Sequence, residues 1–132
     1  MQTNKPRILL IEDNPTLVGM LRDWFLLDRY PHQVAGNGEV ALSLLADAAS
    51  EGKLFPQVII LDVHLPVMDG CDFIELARAS YPPIPVVVYT AGIDAGQEAR
   101  LTEAMVERIL LKTRAGVREL LAVVDQLGAQ AE

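Results

Sequence analysis

The sequence is poor in cysteine and in basic residues. Its one cysteine, Cys71, excludes an internal disulfide bond and fits a reducing compartment. There are 11 Lys and Arg against 18 Asp and Glu, so the formal net charge is -7. Because binding to nucleic acid or to an anionic membrane needs a basic surface, we expect this chain to do neither directly. No apolar run is long enough to cross a bilayer, and no apolar leader follows a basic start, so we expect a soluble, cytoplasmic protein.

Two common site motifs are also missing. No G-x-G-x-x-G follows the first apolar run, which argues against a dinucleotide-binding protein, and no His/Cys cluster has the spacing of a zinc site. No repeat, low-complexity tract or linker divides the 132 residues. With 51% hydrophobic residues, this length predicts one domain over residues 1–132, with its core at about 6–128.

Five short apolar runs alternate with five segments of helical periodicity. The runs predict strands at residues 7–11, 32–35, 58–61, 84–89 and 109–111. The periodic segments predict helices from Pro15 (after an Asn14 cap), over 40–50, from Gly70 (after an Asp69 cap) to before Pro82, and over 95–104 and 117–127.

This alternation predicts an α/β fold with one parallel sheet and helices on both faces. Among known doubly wound folds the flavodoxin-like strand order 2-1-3-4-5 is a common one, and we adopt it as the expected order. In that order the first and third strands are neighbours, and their carboxyl ends meet at the switch point where ligands bind in such sheets.

Polar residues follow four of the predicted strands. They are Glu12 and Asp13 after the first, Asp62 after the third, Thr90 after the fourth and Lys112 after the fifth. Three converging carboxylates repel one another unless a cation joins them, and an all-oxygen set suits Mg²⁺. A metal, a lysine and a hydroxyl around one carboxylate could stabilise a phosphoryl group in transfer. Asp62, alone at the centre, is the candidate nucleophile.

These motifs together resemble the receiver domain of two-component response regulators. They are E-D after the first strand, D-x-x-x-P-x-M-D-G after the third, T-A after the fourth and K after the fifth, and the resemblance covers nearly the whole chain. It implies that Asp62 is the phosphoacceptor and that Mg²⁺ is held by Glu12, Asp13, Asp62 and the backbone carbonyl of His64. It also implies that Thr90 is the switch hydroxyl and that Lys112 contacts the phosphoryl group.

The same resemblance implies partners. The phosphoryl donor is expected to be a phosphohistidine on a sensor histidine kinase or a phosphotransfer protein. Phosphorylation is expected to reshape the face made by the fourth helix, fifth strand and fifth helix, through which a homodimer could form. Such a domain is a switch and not an enzyme.

Two positions depart from the family pattern. Ile109 stands where the family usually has an aromatic residue, which affects the usual coupling to the threonine. Thr113 stands where a proline usually follows the lysine, which predicts a looser loop around Lys112. Neither departure touches the nucleophile or the metal ligands, so we expect normal chemistry with an altered output face.

Two alternatives remain open at this point. An interaction-only receiver would keep the fold without switching, and Ile109 and Thr113 favour it. A phosphatase with an Asp nucleophile would need a second Asp two residues after Asp62, where His64 stands. We interpret Asp69 as a helix cap, Cys71 as a packed residue and His32 as a surface residue at a strand start.

Overall fold

Strands and helices alternate five times in the computed structural model, which describes residues 5–130, with Gln130 described by its backbone alone. The strands are β1 (Ile8–Ile11), β2 (His32–Ala35), β3 (Val58–Leu61), β4 (Val86–Thr90) and β5 (Arg108–Leu111). The helices are α1 (Pro15–Leu27), α2 (Gly38–Glu51), α3 (Gly70–Ser80), α4 (Ala95–Glu103) and α5 (Val117–Gln130). The ends of the predicted domain, residues 1–4 and 131–132, lie outside the described residues.

All strand pairs are parallel, and the order is β2-β1-β3-β4-β5, so the predicted fold class is confirmed. In the register, Ile11 of β1 pairs with Leu61 of β3. Glu12 and Asp62, which directly follow these two strands, therefore lie side by side. Thr90 likewise pairs with Leu111, which brings Lys112 to the same edge of the sheet.

Side-chain caps start four of the five helices. Asn14 accepts from the Thr16 and Leu17 amides ahead of Pro15, and Asp69 accepts from the Asp72 amide, as predicted for both caps. Asn37 and Asp94 cap α2 and α4 in the same way. Because a cap satisfies an amide that has no partner inside the helix, it fixes the residue at which each of these helices begins.

Some element bounds differ from the sequence prediction. β4 begins at Val86 and not at Ile84, because Pro85 has no amide hydrogen to donate to a neighbouring strand. The strand extends to Thr90, which pairs with Leu111. The last helix continues three residues past Leu127, to Gln130.

The sheet separates two apolar layers. Alternate strand residues, such as Leu9 and Ile59, pack with α2, α3 and α4, and their neighbours Ile8 and Ile60 pack with α1 and α5. Each fully buried side chain of this size contributes about 1.5–3 kcal/mol. A sheet covered on both faces leaves its carboxyl edge as the place for polar groups. Within residues 5–130, no helix has the length and apolar character that a membrane crossing needs.

Candidate functional site

Three carboxylates meet at the carboxyl edge of the sheet. One oxygen from each of Glu12, Asp13 and Asp62 lies within 4.8 Å of the others. Glu12 and Asp62 are buried, with 3% and 5% of their surface exposed, and Asp13 is exposed to solvent. The cluster is thus open on one side and closed by protein on the other.

The backbone of Asp62 is held on two sides. Its amide donates to the Ile11 carbonyl at 3.0 Å, extending the pairing of β1 with β3. Gly70 packs so closely on the other side that a Cβ atom there would overlap the Asp62 carbonyl oxygen. The Gly70 amide also donates to the Val63 carbonyl at 2.9 Å. Glycine at the start of α3 therefore lets the loop after β3 fold back over the site.

Both oxygens of the Asp62 side chain have partners. Oδ1 accepts from Thr90 Oγ1 at 2.8 Å and from the His64 amide at 3.3 Å. Oδ2 accepts from Lys112 Nζ at 3.3 Å. The hydroxyl and the ammonium predicted to surround Asp62 are therefore both in contact with it.

Lys112 makes its shorter contact with Glu12, at 2.7 Å between Nζ and Oε1. The other Glu12 oxygen accepts from the Asn14 amide at 3.1 Å. Burial raises the pKa of Glu12, against the hydrogen bonds from Lys112 and Asn14, and the nearby charge of Asp62 raises it further. Burial works to lower the pKa of Lys112, but the hydrogen bond to Glu12 and the charge of Asp62 outweigh it and raise that pKa. The ammonium is therefore held in its charged form between two acids.

The donor set of this cluster suits a hard divalent cation. All three side chains offer carboxylate oxygens, which Mg²⁺ and Ca²⁺ prefer, and the exposed Asp13 leaves room for water ligands. Two of the three acids are buried together, and a bound cation would offset their repulsion. The residues present therefore fit Mg²⁺, the ion expected from the sequence.

The remaining polar residues near the site have structural contacts. His64 is exposed, and its Nε2 contacts the Gly92 carbonyl, which links the loops after β3 and β4. Asp69 caps α3, in agreement with the interpretation of this residue as a cap. Cys71 is buried at the start of α3, where burial raises the pKa of its thiol and makes it a poor nucleophile.

Two features near the site were not anticipated from the sequence. The hydroxyl of Tyr89 donates to the Ala115 carbonyl at 2.8 Å, behind the loop that carries Lys112. A tyrosine at the end of the buried run V-V-V-Y was the available signal, because a buried hydroxyl needs a partner. The second feature is Val67, whose φ of 67° is rare for a β-branched residue and has no signal in sequence periodicity.

The chain is similar in sequence to a known protein family. The family model described as "Response regulator receiver domain" matches residues 8–125. The sensor histidine kinase TmoS of Ectopseudomonas mendocina is 33% identical over 128 residues, which is 96% of this chain and 12% of that protein. The probable transcriptional regulatory protein TcrX of Mycobacterium tuberculosis (strain ATCC 25618 / H37Rv) is 29% identical over 133 residues, which is 93% of this chain and 54% of that protein. This chain therefore spans little more than half of TcrX and a small part of TmoS.

Solved structures give the same result. The signal receiver domain of an HD domain-containing protein from Pseudomonas fluorescens Pf-5 superposes with a TM-score of 0.84 at 25% identity, over 99% of this chain and 92% of that chain. The signal receiver domain of a signal transduction histidine kinase from Syntrophus aciditrophicus superposes with a TM-score of 0.78 at 26% identity, over 95% of this chain and 91% of that chain.

Proposed function

This chain belongs to the response regulator receiver domain family of two-component systems, and we propose that Asp62 is its phosphoacceptor. The observation that carries the proposal is the pair of contacts on the Asp62 carboxylate, from Thr90 Oγ1 at 2.8 Å and from Lys112 Nζ at 3.3 Å. A contact with a lysine alone would not be specific, because a buried acid can pair with a lysine simply to stabilise the fold. A hydroxyl, an ammonium and two further carboxylates around one acid form a set suited to phosphoryl transfer.

The proposed reaction moves a phosphoryl group onto Asp62. Among residues 5–130, Oδ2 has one hydrogen-bond partner, Lys112 Nζ at 3.3 Å, whereas Oδ1 has two, so Oδ2 is the proposed nucleophile. It forms an O–P bond while the P–N bond of a phosphohistidine donor breaks. The electron pair of that bond stays on the donor imidazole, which is then protonated from solvent, and the product on Asp62 is an acyl phosphate.

Lys112 and Thr90 supply charge and a hydrogen bond to the transferred group. The ammonium of Lys112 carries a fixed positive charge within reach of both acids, where phosphoryl oxygens accumulate negative charge. The Thr90 hydroxyl donates to Asp62 Oδ1 before transfer, and we propose that it rotates toward a phosphoryl oxygen afterwards. We propose that this rotation is the first step of the switch.

Mg²⁺ is the proposed cofactor. Glu12, Asp13 and Asp62 would hold it with their side chains, and the backbone carbonyl of His64 would complete the protein ligands. When bound, the ion would neutralise charge on the phosphoryl oxygens. Lys112 would share Glu12 with the ion, because its ammonium contacts that carboxylate.

The proposed partners follow from the family. The donor is a sensor histidine kinase or a phosphotransfer protein, and a homodimer through α4, β5 and α5 is a proposed output. The phosphoryl group remains on the chain until hydrolysis, so we propose a stoichiometric switch and not an enzyme. We further propose that residues 1–132 act as one receiver domain without direct contact to nucleic acid or membrane, in the cytoplasm.

The proposal is tested by mass spectrometry after incubation with Mg²⁺ and acetyl phosphate. The wild-type chain should gain one phosphoryl group, and Asp62→Asn should gain none while folding as well as the wild type or better, because a repelled charge is removed. Asp47→Asn, which changes an exposed acid on α2, is the matched control and should be phosphorylated normally. Labelling of Asp62→Asn at the same site would show that Asp62 is the wrong acceptor.

Two other outcomes decide between the alternatives. A folded wild-type chain whose mass and NMR spectrum do not respond to acetyl phosphate or to beryllofluoride would be an interaction-only receiver. Repeated turnover of a phosphomonoester that disappears in Asp62→Asn would support the phosphatase.

A further inference from the structure

The loop that carries Lys112 is anchored at both ends by the last two residues of β4. At one end the Lys112 amide donates to the Thr90 carbonyl at 2.8 Å. At the other end the hydroxyl of Tyr89 donates to the Ala115 carbonyl at 2.8 Å, in a buried bond. The strand that presents Thr90 to Asp62 therefore also holds the loop of the catalytic lysine.

Between these anchors the loop is exposed. Thr113, Arg114 and Gly116 are all exposed to solvent, whereas Ala115 is 5% exposed and packs with the apolar layer under α5. The Arg114 and Ala115 amides both donate to the Leu111 carbonyl, which closes a tight turn. Among the residues that the structure describes, Tyr89 is the one side chain that hydrogen-bonds to the backbone of residues 113–116.

The Tyr89 ring cannot reach Asp62 itself. It packs on the α1 and α5 side of the sheet with Leu110 and Ala115, whereas Thr90, its neighbour on β4, hydrogen-bonds to Asp62. Any effect of the hydroxyl on phosphoryl transfer must therefore pass through the loop and Lys112. Small displacements matter there, because the ammonium spans two acids at 2.7 and 3.3 Å.

We propose that Tyr89 is a positioning residue for phosphoryl transfer: by holding the Ala115 carbonyl, its hydroxyl fixes the loop from which Lys112 reaches Asp62. This inference rests on the proposed function of Asp62. Thr113, in the exposed part of the loop, is not a proline, so the backbone there is not fixed by a ring and the restraint comes from β4.

The test compares Tyr89→Phe with the wild type in phosphoryl uptake from acetyl phosphate. The maximal rate should fall about tenfold, because misplacing a catalytic group slows the reaction even when it remains present. The Mg²⁺ concentration for half-maximal rate should change by less than about threefold, because Glu12, Asp13 and Asp62 follow β1 and β3 and only Lys112, which contacts Glu12, moves with the loop. Tyr30→Phe is the matched control, because it removes another tyrosine hydroxyl bond, to Asp125 at 2.6 Å, without touching the loop.

Three results would overturn the inference. They are an unchanged rate in Tyr89→Phe, an equal loss of rate in Tyr30→Phe, and a change in Mg²⁺ dependence as large as the change in rate, which would mean that the whole site is deformed.

Amide hydrogen exchange separates failure of this inference from failure of the proposed function. In Tyr89→Phe, exchange at Lys112, Arg114 and Ala115 should rise about tenfold relative to amides of β1 and β3. If the wild type takes up no phosphoryl group, the proposed function fails, and this local rise alone still supports the loop restraint. Unchanged exchange at these three amides would overturn the restraint whatever the chemistry of Asp62.

Discussion

Lys112 is bound to Glu12 more closely than to Asp62. Its ammonium lies 2.7 Å from Glu12 Oε1 and 3.3 Å from Asp62 Oδ2. Lys112, which directly follows β5, thus contacts Glu12, one of the three acids that a divalent cation would need. Under the proposed function, a Mg²⁺ ion bound by Glu12 would share that carboxylate with the ammonium of Lys112.

Removal of the lysine should expose this competition. Lys112→Ala leaves two buried acids without their counter-charge, and we expect the free energy of unfolding to fall by about 2 kcal/mol. This is less than the loss expected for a fully buried ion pair, because the lysine is partly exposed. Mg²⁺ should then restore more stability to the variant than it adds to the wild type, since Glu12 is free to bind it. Urea unfolding with and without Mg²⁺ measures both effects.

The control for this variant is Lys53→Ala, which removes an exposed lysine paired with Glu51. It should change the free energy of unfolding by less than about 0.5 kcal/mol, with or without Mg²⁺. Equal stabilisation of Lys112→Ala and the wild type by Mg²⁺ would show that the lysine and the ion do not share Glu12.

Asp13→Asn should weaken Mg²⁺ binding without affecting the fold. Asp13 is exposed and contributes one of the three converging oxygens, so its charge matters to the ion more than to packing. We expect an affinity loss of at least about tenfold, measured by NMR or fluorescence titration. Asp23→Asn, a change at an exposed acid of α1, should bind Mg²⁺ as the wild type does. Unchanged affinity in Asp13→Asn would remove Asp13 from the ligand set.

Val67→Gly should stabilise the protein. Val67 has a φ of 67° in the loop after β3, and the residue is 76% exposed, so the change relieves backbone strain and loses little packing. Strain of this kind costs about 1–3 kcal/mol, and glycine loses about 0.5–1 kcal/mol in added freedom of the unfolded chain. We expect a net gain of about 1 kcal/mol in urea unfolding and a smaller gain for Val67→Ala. A loss of stability in Val67→Gly would mean that the loop is not strained.

The contact between α3 and α4 should make stability depend on pH. Arg100 Nε and Nη2 donate to Glu75 at 2.9 and 2.6 Å, and this hydrogen bonding holds the pKa of Glu75 below its ordinary value of 4.5. A carboxyl with a lowered pKa in the folded state contributes stability above its unfolded pKa and loses it as the pH falls through its folded pKa.

Glu75→Gln should therefore be less stable than the wild type near pH 7. The difference should begin to shrink below about pH 4.5, where Glu75 of the unfolded chain takes up a proton, and should be lost as the pH falls through the lower pKa of the folded state. Added salt should reduce the difference because the pair is exposed. Thermal unfolding across pH 3–7 measures it, with Glu103→Gln of α4 as the control at an exposed acid. A difference that does not vary with pH would indicate lost packing and not lost charge.

The sequence predicted the fold class, and with a known strand order it also predicted which side chains meet at the carboxyl edge of the sheet. Buried parallel strands appear as uninterrupted apolar runs, and helix starts are marked by caps such as Asn14 and Asp69, so these features depend on neighbouring residues. Placing Glu12, Asp62 and Lys112 at one edge needed only the alternation of elements and a known strand order.

The tertiary structure decided how those members contact one another. The 2.7 Å contact of Lys112 with Glu12 joins residues 100 positions apart, and the Tyr89 bond to Ala115 joins β4 to a loop 26 positions away. The register of the sheet and the packing of α5 set such distances, and the local periodicity of apolar residues predicts neither. The positive φ of Val67 lies in the turn between β3 and Gly70, which packs on Asp62, and no local pattern in the sequence marks it. Local patterns therefore determined which polar residues follow the strands, and long-range packing determined which of them are bonded to each other.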